Sequence, residues 1–154
     1  EVHDALFNTY LEHNDRVHSQ LIKSFPDTIP ALRALREAGL PLGIVTSKRS
    51  ENALRAMKST GIDGYFKCLI APDTFPAHKP EPEPVLHGCE LLGVAPDECI
   101  YIGDSPYDLQ AGRGAGCTTV AALWGMFGRD SLAAENPDFA IESLGELVPI
   151  ALGE

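Results

Sequence analysis

The stretch ECIYIGDSPYDLQAGRGAGCTTVAAL, residues 98–123, changes pattern twice. ECIYIG, residues 98–103, is an apolar run too brief for a helix, and CTTVAAL, residues 117–123, is another. Short continuous apolar runs are what strands buried on both faces require. Between them, Leu109 to Ala115 reads as a helix. Strand, helix, strand is a crossover unit, and crossovers join parallel strands.

The same alternation extends in both directions. Toward the N-terminus, LPLGIVT (residues 40–46) reads as a strand, Ser50 caps the helix ENALRAMKST, Gly61 closes it, and YFKCLIA (residues 65–71) is the next strand. The Pro-rich HKPEPEP then leads into a helix from Pro84 to Leu92, stopped by Gly93. Ahead of these, Asp27-Thr28 offers an N-cap for a helix carrying Leu32 and Leu35 that ends at Gly39. Toward the C-terminus, DFAIES is a short strand and Leu144 to Leu152 a last helix. The expected fold is α/β, a doubly wound parallel sheet with helices on both faces. Residues 2 to 23, with Ala5, Leu6, Tyr10, Leu11, Val17, Leu21 and Ile22 at helical spacing, form an opening helix that Pro26 ends.

The 154 residues, 44% hydrophobic, suffice for one such domain with a core of its own. A net charge of −10 with no Lys/Arg cluster argues against nucleic acid as a partner. No apolar run approaches the ~20 residues that span a bilayer, so a soluble chain with no membrane partner is expected. Cys68, Cys89, Cys99 and Cys117 form no CxxC pair, and His3, His13, His18, His78 and His87 stand at no zinc-like offset from them. Buried reduced thiols and a cytoplasmic location follow as expectations.

In open α/β sheets, chemistry gathers beyond the carboxyl ends of the strands. The residues just past the expected strands are Thr46-Ser47-Lys48, Asp73 with a loop carrying Lys79, Asp104-Ser105 with Asp108, and Trp124-Gly125. Thr46 precedes a helix, and its hydroxyl with nearby amides suits a phosphate oxygen. Lys79 would balance phosphoryl charge. Gly103 allows close backbone approach, and Asp104 with Asp108 makes a locus for a hard cation, Mg²⁺ preferring few carboxylates, several waters and a substrate phosphate. Each feature alone has a plainer reading: a strand ending in a turn, a solvated lysine, an N-cap acid. His3, His13, His18, Arg113 and Arg129 read as solvated, and Trp124 and Phe127 as crevice lining or packing.

The ordered set IVTSK, HKPEPEPV and IGDSPYDLQAGRGAG resembles motifs two, three and four of the haloacid dehalogenase-like phosphohydrolases. The likeness is strongest to the phosphoglycolate phosphatase-like branch and, within it, to pyrophosphatases whose NPDF-like segment is matched by Asn136 to Phe139. The resemblance implies a Rossmann-like core and Mg²⁺-dependent hydrolysis of a small phosphorylated metabolite or of pyrophosphate. It also implies roles. Thr46 and Lys79 would be catalytic, Thr46 holding the phosphoryl group and Lys79 neutralising it. Ser47 and Lys48 would add phosphate or substrate contacts. Asp104 would bind Mg²⁺, Asp108 would support the metal shell or Lys79, and Ser105 would be an outer ligand.

One motif is missing. The family begins with a strand ending in DxDG[T/V], whose first Asp attacks phosphorus to form an aspartyl-phosphate and whose second is the general acid/base. None of Asp4, Asp15, Asp27, Asp63, Asp73, Asp97, Asp104, Asp108, Asp130 or Asp138 has that context. The expected organisation is therefore residues 1–24 as the last helix of a helical cap and 25–154 as a core without its first strand, inactive alone. A non-enzymatic domain that binds phosphate or a protein is the alternative. A phosphoacceptor receiver domain is excluded by order, since such domains present Asp first, Thr next and Lys last.

Overall fold

The computed structural model describes residues 24–154. The opening helix expected over residues 2–23 therefore lies outside the described residues. Within them the chain runs α1 (Thr28–Glu37), β1 (Gly43–Val45), α2 (Ser50–Thr60), β2 (Cys68–Ile70), α3 (Glu83–Leu92), β3 (Ile100–Gly103), α4 (Pro106–Ala115), β4 (Thr118–Ala122), α5 (Arg129–Ala133), β5 (Phe139–Ile141) and α6 (Leu147–Leu152). Every strand pairing is parallel. Most elements fall where the apolar periods put them. The strands are shorter than the apolar runs that announce them, because only their middles carry ladder hydrogen bonds. Helix α4 begins at Pro106, three residues ahead of the expected Leu109, because Ser105 and Asp108 form a reciprocal capping box there. The short α5 gave no periodic signal.

Alternation of side chains along β3 and β4 feeds core clusters on both faces of the sheet. Tyr101 packs with Val85 and Cys89 of α3 and with Ala111 and Ala115 of α4. Ile100, Ile102 and Val120 point the other way, onto Leu35 of α1, Ile141 of β5 and Leu147 of α6. Helices thus cover both faces, as a doubly wound domain requires. Cys89 and Cys117 are buried, with sulfurs 3.9 Å apart, while Cys68 and Cys99 are half-buried, and all four are free thiols. Burial pushes the Cys68, Cys99 and Cys117 thiols up, so they stay protonated at neutral pH.

The sheet is split. β1 pairs with β2, and β3-β4-β5 form a second set, with no ladder between β1 and β3 among the described residues. Residues of β3 are only half-buried along its length, whereas β4, paired on both sides, is buried from Thr119 to Ala122.

Candidate active site

Parallel strands place all their carboxyl ends on one side, and the loops leaving β1, β2 and β3 meet there. Thr46, Ser47 and Val45 line a small pocket with Ile70, Ala71 and Pro72 from the end of β2 and Ala77, His78 and Lys79 from the following loop. The Thr46 hydroxyl oxygen accepts the Lys48 amide at 3.1 Å. This leaves the hydroxyl proton available for an anion. The Thr46 amide is already spent on the Ile70 carbonyl at 2.9 Å.

Lys79 makes a polar link between the two halves of the sheet. Its Nζ donates to Asp108 Oδ1 at 2.5 Å and makes a long 3.5 Å contact with the Val45 carbonyl oxygen. In a parallel strand, successive residues present their backbone groups to opposite edges. Ile70 takes the Thr46 amide, so Thr46 faces β2 and the Val45 carbonyl faces away from it. Lys79 therefore sits over the edge of β1 that has no strand partner among the described residues, and it reaches to the helix that follows β3. The Lys79–Pro80 peptide is cis.

Asp108 is buried, and both of its oxygens are committed. Oδ1 accepts from Lys79, and Oδ2 accepts from the Ser105 amide at 3.1 Å and the Ser105 hydroxyl at 2.8 Å. Of the two supporting roles expected for Asp108, holding Lys79 is the one its contacts serve. The Ser105 hydroxyl is likewise engaged in the capping box. Gly103 makes this packing possible, since a Cβ there would overlap the Asp108 side chain. Asp104 is exposed and leans on Gly125, where a Cβ would overlap the carboxylate in the same way. Lys48 is exposed, and neither it nor Asp104 lines the pocket.

Among the described residues no three His, Cys, Asp or Glu side chains gather into a metal cage. Mg²⁺ does not need one, because it takes one or two carboxylates and fills its shell with water and phosphate. The exposed Asp104 carboxylate fits that demand as a single protein ligand. Asp108 spends its carboxylate on Lys79 and Ser105.

Two residues read otherwise from sequence alone. Ser50 was expected to cap α2 but is its first residue, and Asp73 accepts both its amide and its hydroxyl. Asp27 precedes α1 without a side-chain capping bond, and its carboxylate accepts the Gly145 amide at 2.8 Å instead. His78 lines the pocket, and its position beside Lys79 was the only sequence signal for it. Trp124 packs on the α1/α6 core and meets Phe25 edge-on at 6.3 Å, and Phe127 packs near Leu109 and Leu132, so both pack rather than stand free in the crevice. Arg113 donates to the Asn136 carbonyl at 2.7 Å, and Arg129 pairs with Glu142 at 2.6 Å.

A family model described as haloacid dehalogenase-like hydrolase matches residues 1–122. A pyrophosphatase PpaX of Anoxybacillus flavithermus is 35% identical over 147 residues, 96% of this chain and 68% of that protein. One from Listeria monocytogenes is 35% identical over 151 residues, covering 98% of this chain and 70% of that protein. Among solved structures, an HAD phosphatase from Thermococcus onnurineus is 39% identical with a TM-score of 0.73, over 84% of this chain and 59% of that one. A crystal structure from Thermotoga maritima, 22% identical, reaches a TM-score of 0.88 over 97% of this chain and 69% of that one, a likeness of fold. No helix of the described residues is long and apolar enough to cross a membrane.

Proposed function

The chain belongs to the haloacid dehalogenase-like hydrolases, and from that premise we infer that it is the phosphate-handling core of a Mg²⁺-dependent phosphohydrolase acting on pyrophosphate or a small phosphorylated metabolite. The observation that carries this reading is Lys79, held by Asp108 at the junction of the two half-sheets and lining one pocket with Thr46. An ammonium in a small, partly buried pocket beside a free hydroxyl proton suits a phosphoryl group. Thr46 donates to a phosphoryl oxygen. Lys79 offsets the negative charge that grows there, and Asp108 keeps the ammonium aimed. Ser47 borders the phosphate, and Lys48 reaches the remainder of the substrate from the rim. Asp104 would hold Mg²⁺, which when bound would supply further positive charge to the phosphate. Ser105 contributes by fixing the turn between Asp104 and Asp108.

The reaction through an aspartyl-phosphate needs a carboxylate nucleophile, and no Asp of this sequence has the DxDG[T/V] context. We place that carboxylate on a strand between β1 and β3, whose facing edges have no partner among the described residues. Residues 1–24 then belong to a helical cap and 25–154 to the core, the 154 residues alone are inactive, and four free thiols suit a cytoplasmic setting. The absent motif favours one other reading, a domain that binds phosphate or a protein without turnover.

Hydrolysis of p-nitrophenyl phosphate separates the two. The chain should be silent alone and should turn over with Mg²⁺ when preceded by the upstream residues of its own reading frame. Asp104→Ala should abolish that turnover, and a fully active Asp104→Ala enzyme overturns the assignment. An initiator Met directly before Glu1 would favour the binding module.

A further inference from the structure

The first amides of a helix need acceptors from outside it. The residue preceding α2, Arg49, offers none from its side chain. The acceptor comes from the loop after β2 instead. Asp73 Oδ1 accepts the Ser50 amide at 2.8 Å, and Oδ2 accepts the Ser50 hydroxyl at 2.6 Å. These two bonds, with Arg49 nearby, hold the Asp73 carboxyl below its usual range. The turn that presents Asp73 is itself fixed. Thr74 Oγ1 bonds both the amide and the carbonyl of Ala71 at 3.0 Å, and Phe75 stacks on His87 of α3 with ring centres 4.9 Å apart.

The other end of the same loop is tied at Thr46, whose amide donates to Ile70. Residues 46–50 are thus clipped at both ends to the segment leaving β2, and the two segments form facing walls of the pocket that holds Thr46, Ser47 and Lys79. We propose that Asp73 is a positioning residue of this pocket: its doubly bonded carboxylate sets the loop from Thr46 to Arg49 against the wall formed by residues 70–79, in the conformation that receives a phosphoryl oxygen. This rests on reading the pocket as a phosphate site. It also removes the Ser50 amide from the donors open to phosphate, because a carboxylate already occupies it.

The test is titration of the full chain with inorganic phosphate in the presence of Mg²⁺, followed through the amide resonances of Thr46, Ser47 and Lys48. Asp73→Ala should weaken phosphate binding by about tenfold, the scale of one charged hydrogen-bonding group. Asp73→Asn, which still offers an oxygen to the Ser50 amide, should recover most of the loss, and Ser50→Ala, which keeps one bond of the two, should fall between. If Asp73→Ala lowers Tm yet binds phosphate as the parent does, Asp73 is a helix cap only and the proposal is overturned. If the parent chain binds no phosphate, the pocket reading itself fails. Amide exchange then decides the clip separately: unchanged protection of the Ser50 amide in Asp73→Ala overturns it, and lost protection with disorder at 46–49 upholds it.

Discussion

Lys79 and Asp108 have side chains only 12% and 8% exposed, so each is the other's counter-charge away from water. Removing one member of a buried pair leaves a carboxylate without its counter-charge, at a cost of about 3 kcal/mol, whereas removing both charges is far milder. Lys79→Met should therefore lower Tm by roughly 9 °C for a chain of this size. Lys79→Met with Asp108→Asn should recover at least half of that, since Asn can still accept from Ser105. Thermal unfolding of the three variants checks the ordering, and an unchanged Tm in Lys79→Met would show the pair to be dispensable. Gly103→Ala tests the same contact from below. The new Cβ overlaps Asp108, and forcing a crowded core apart costs about 1–3 kcal/mol. Its Tm should fall, and a structure of the variant should show Asp108 displaced from Lys79. The need for a small residue at position 103 was legible in the sequence. That the side chain it admits is Asp108 was not, because only the turn of the backbone after β3 brings the two together.

The elements were legible from their periods, but their fastenings were not, because sequence shows a capping residue without showing what it caps. Asp27 stands before α1 and binds Gly145, and Asp73 stands after β2 and binds the start of α2. Asp138 is the third such carboxylate. At the amino end of β5 it accepts the Thr119 amide at 2.7 Å and the Thr119 hydroxyl at 2.9 Å, tying β5 to the buried start of β4. The Asn136 to Phe139 segment, read as a family signature, thus acts at the end of the sheet opposite the pocket. The Thr119 amide, followed by its hydroxyl, pulls the Asp138 carboxyl below the ordinary value of 3.8. A depressed folded-state value favours the folded chain wherever the carboxylate is ionised. The contribution is whole above 3.8, and it drains away as the pH falls through the lower folded value. Asp138→Asn abolishes this titration. Urea unfolding between about pH 5 and pH 2 should show the parent losing stability more steeply than Asp138→Asn, with parallel curves refuting the role assigned to Asp138.

At the scale of the whole molecule, alternating apolar runs and helices announce a parallel sheet covered on both faces, and the nucleophile-bearing strand proposed above would have to join that sheet. Where that strand would lie was not readable, because strand order depends on pairing and not on chain order. The proposed place is the gap where backbone groups of β1 and β3 have no ladder partner among the described residues. Ile44 and Thr46 face β2, so Gly43 and Val45 face the open side of β1. Cys99 accepts the Thr118 amide, so Tyr101 and Gly103 face β4, while Ile100 and Ile102 face the open side of β3. Amide exchange should therefore alternate along each strand of the 154-residue chain. The amides of Val45, Ile100 and Ile102 should exchange at least about tenfold faster than those of Ile44, Tyr101 and Gly103, since the former lack a ladder partner among the described residues. Joining the upstream residues of the reading frame should slow the fast set and leave the slow set unchanged, because a strand entering between β1 and β3 bonds only to the groups that face it. Uniform protection along both strands in the 154-residue chain would mean that these edges are already satisfied, and would remove the place assigned to the nucleophile.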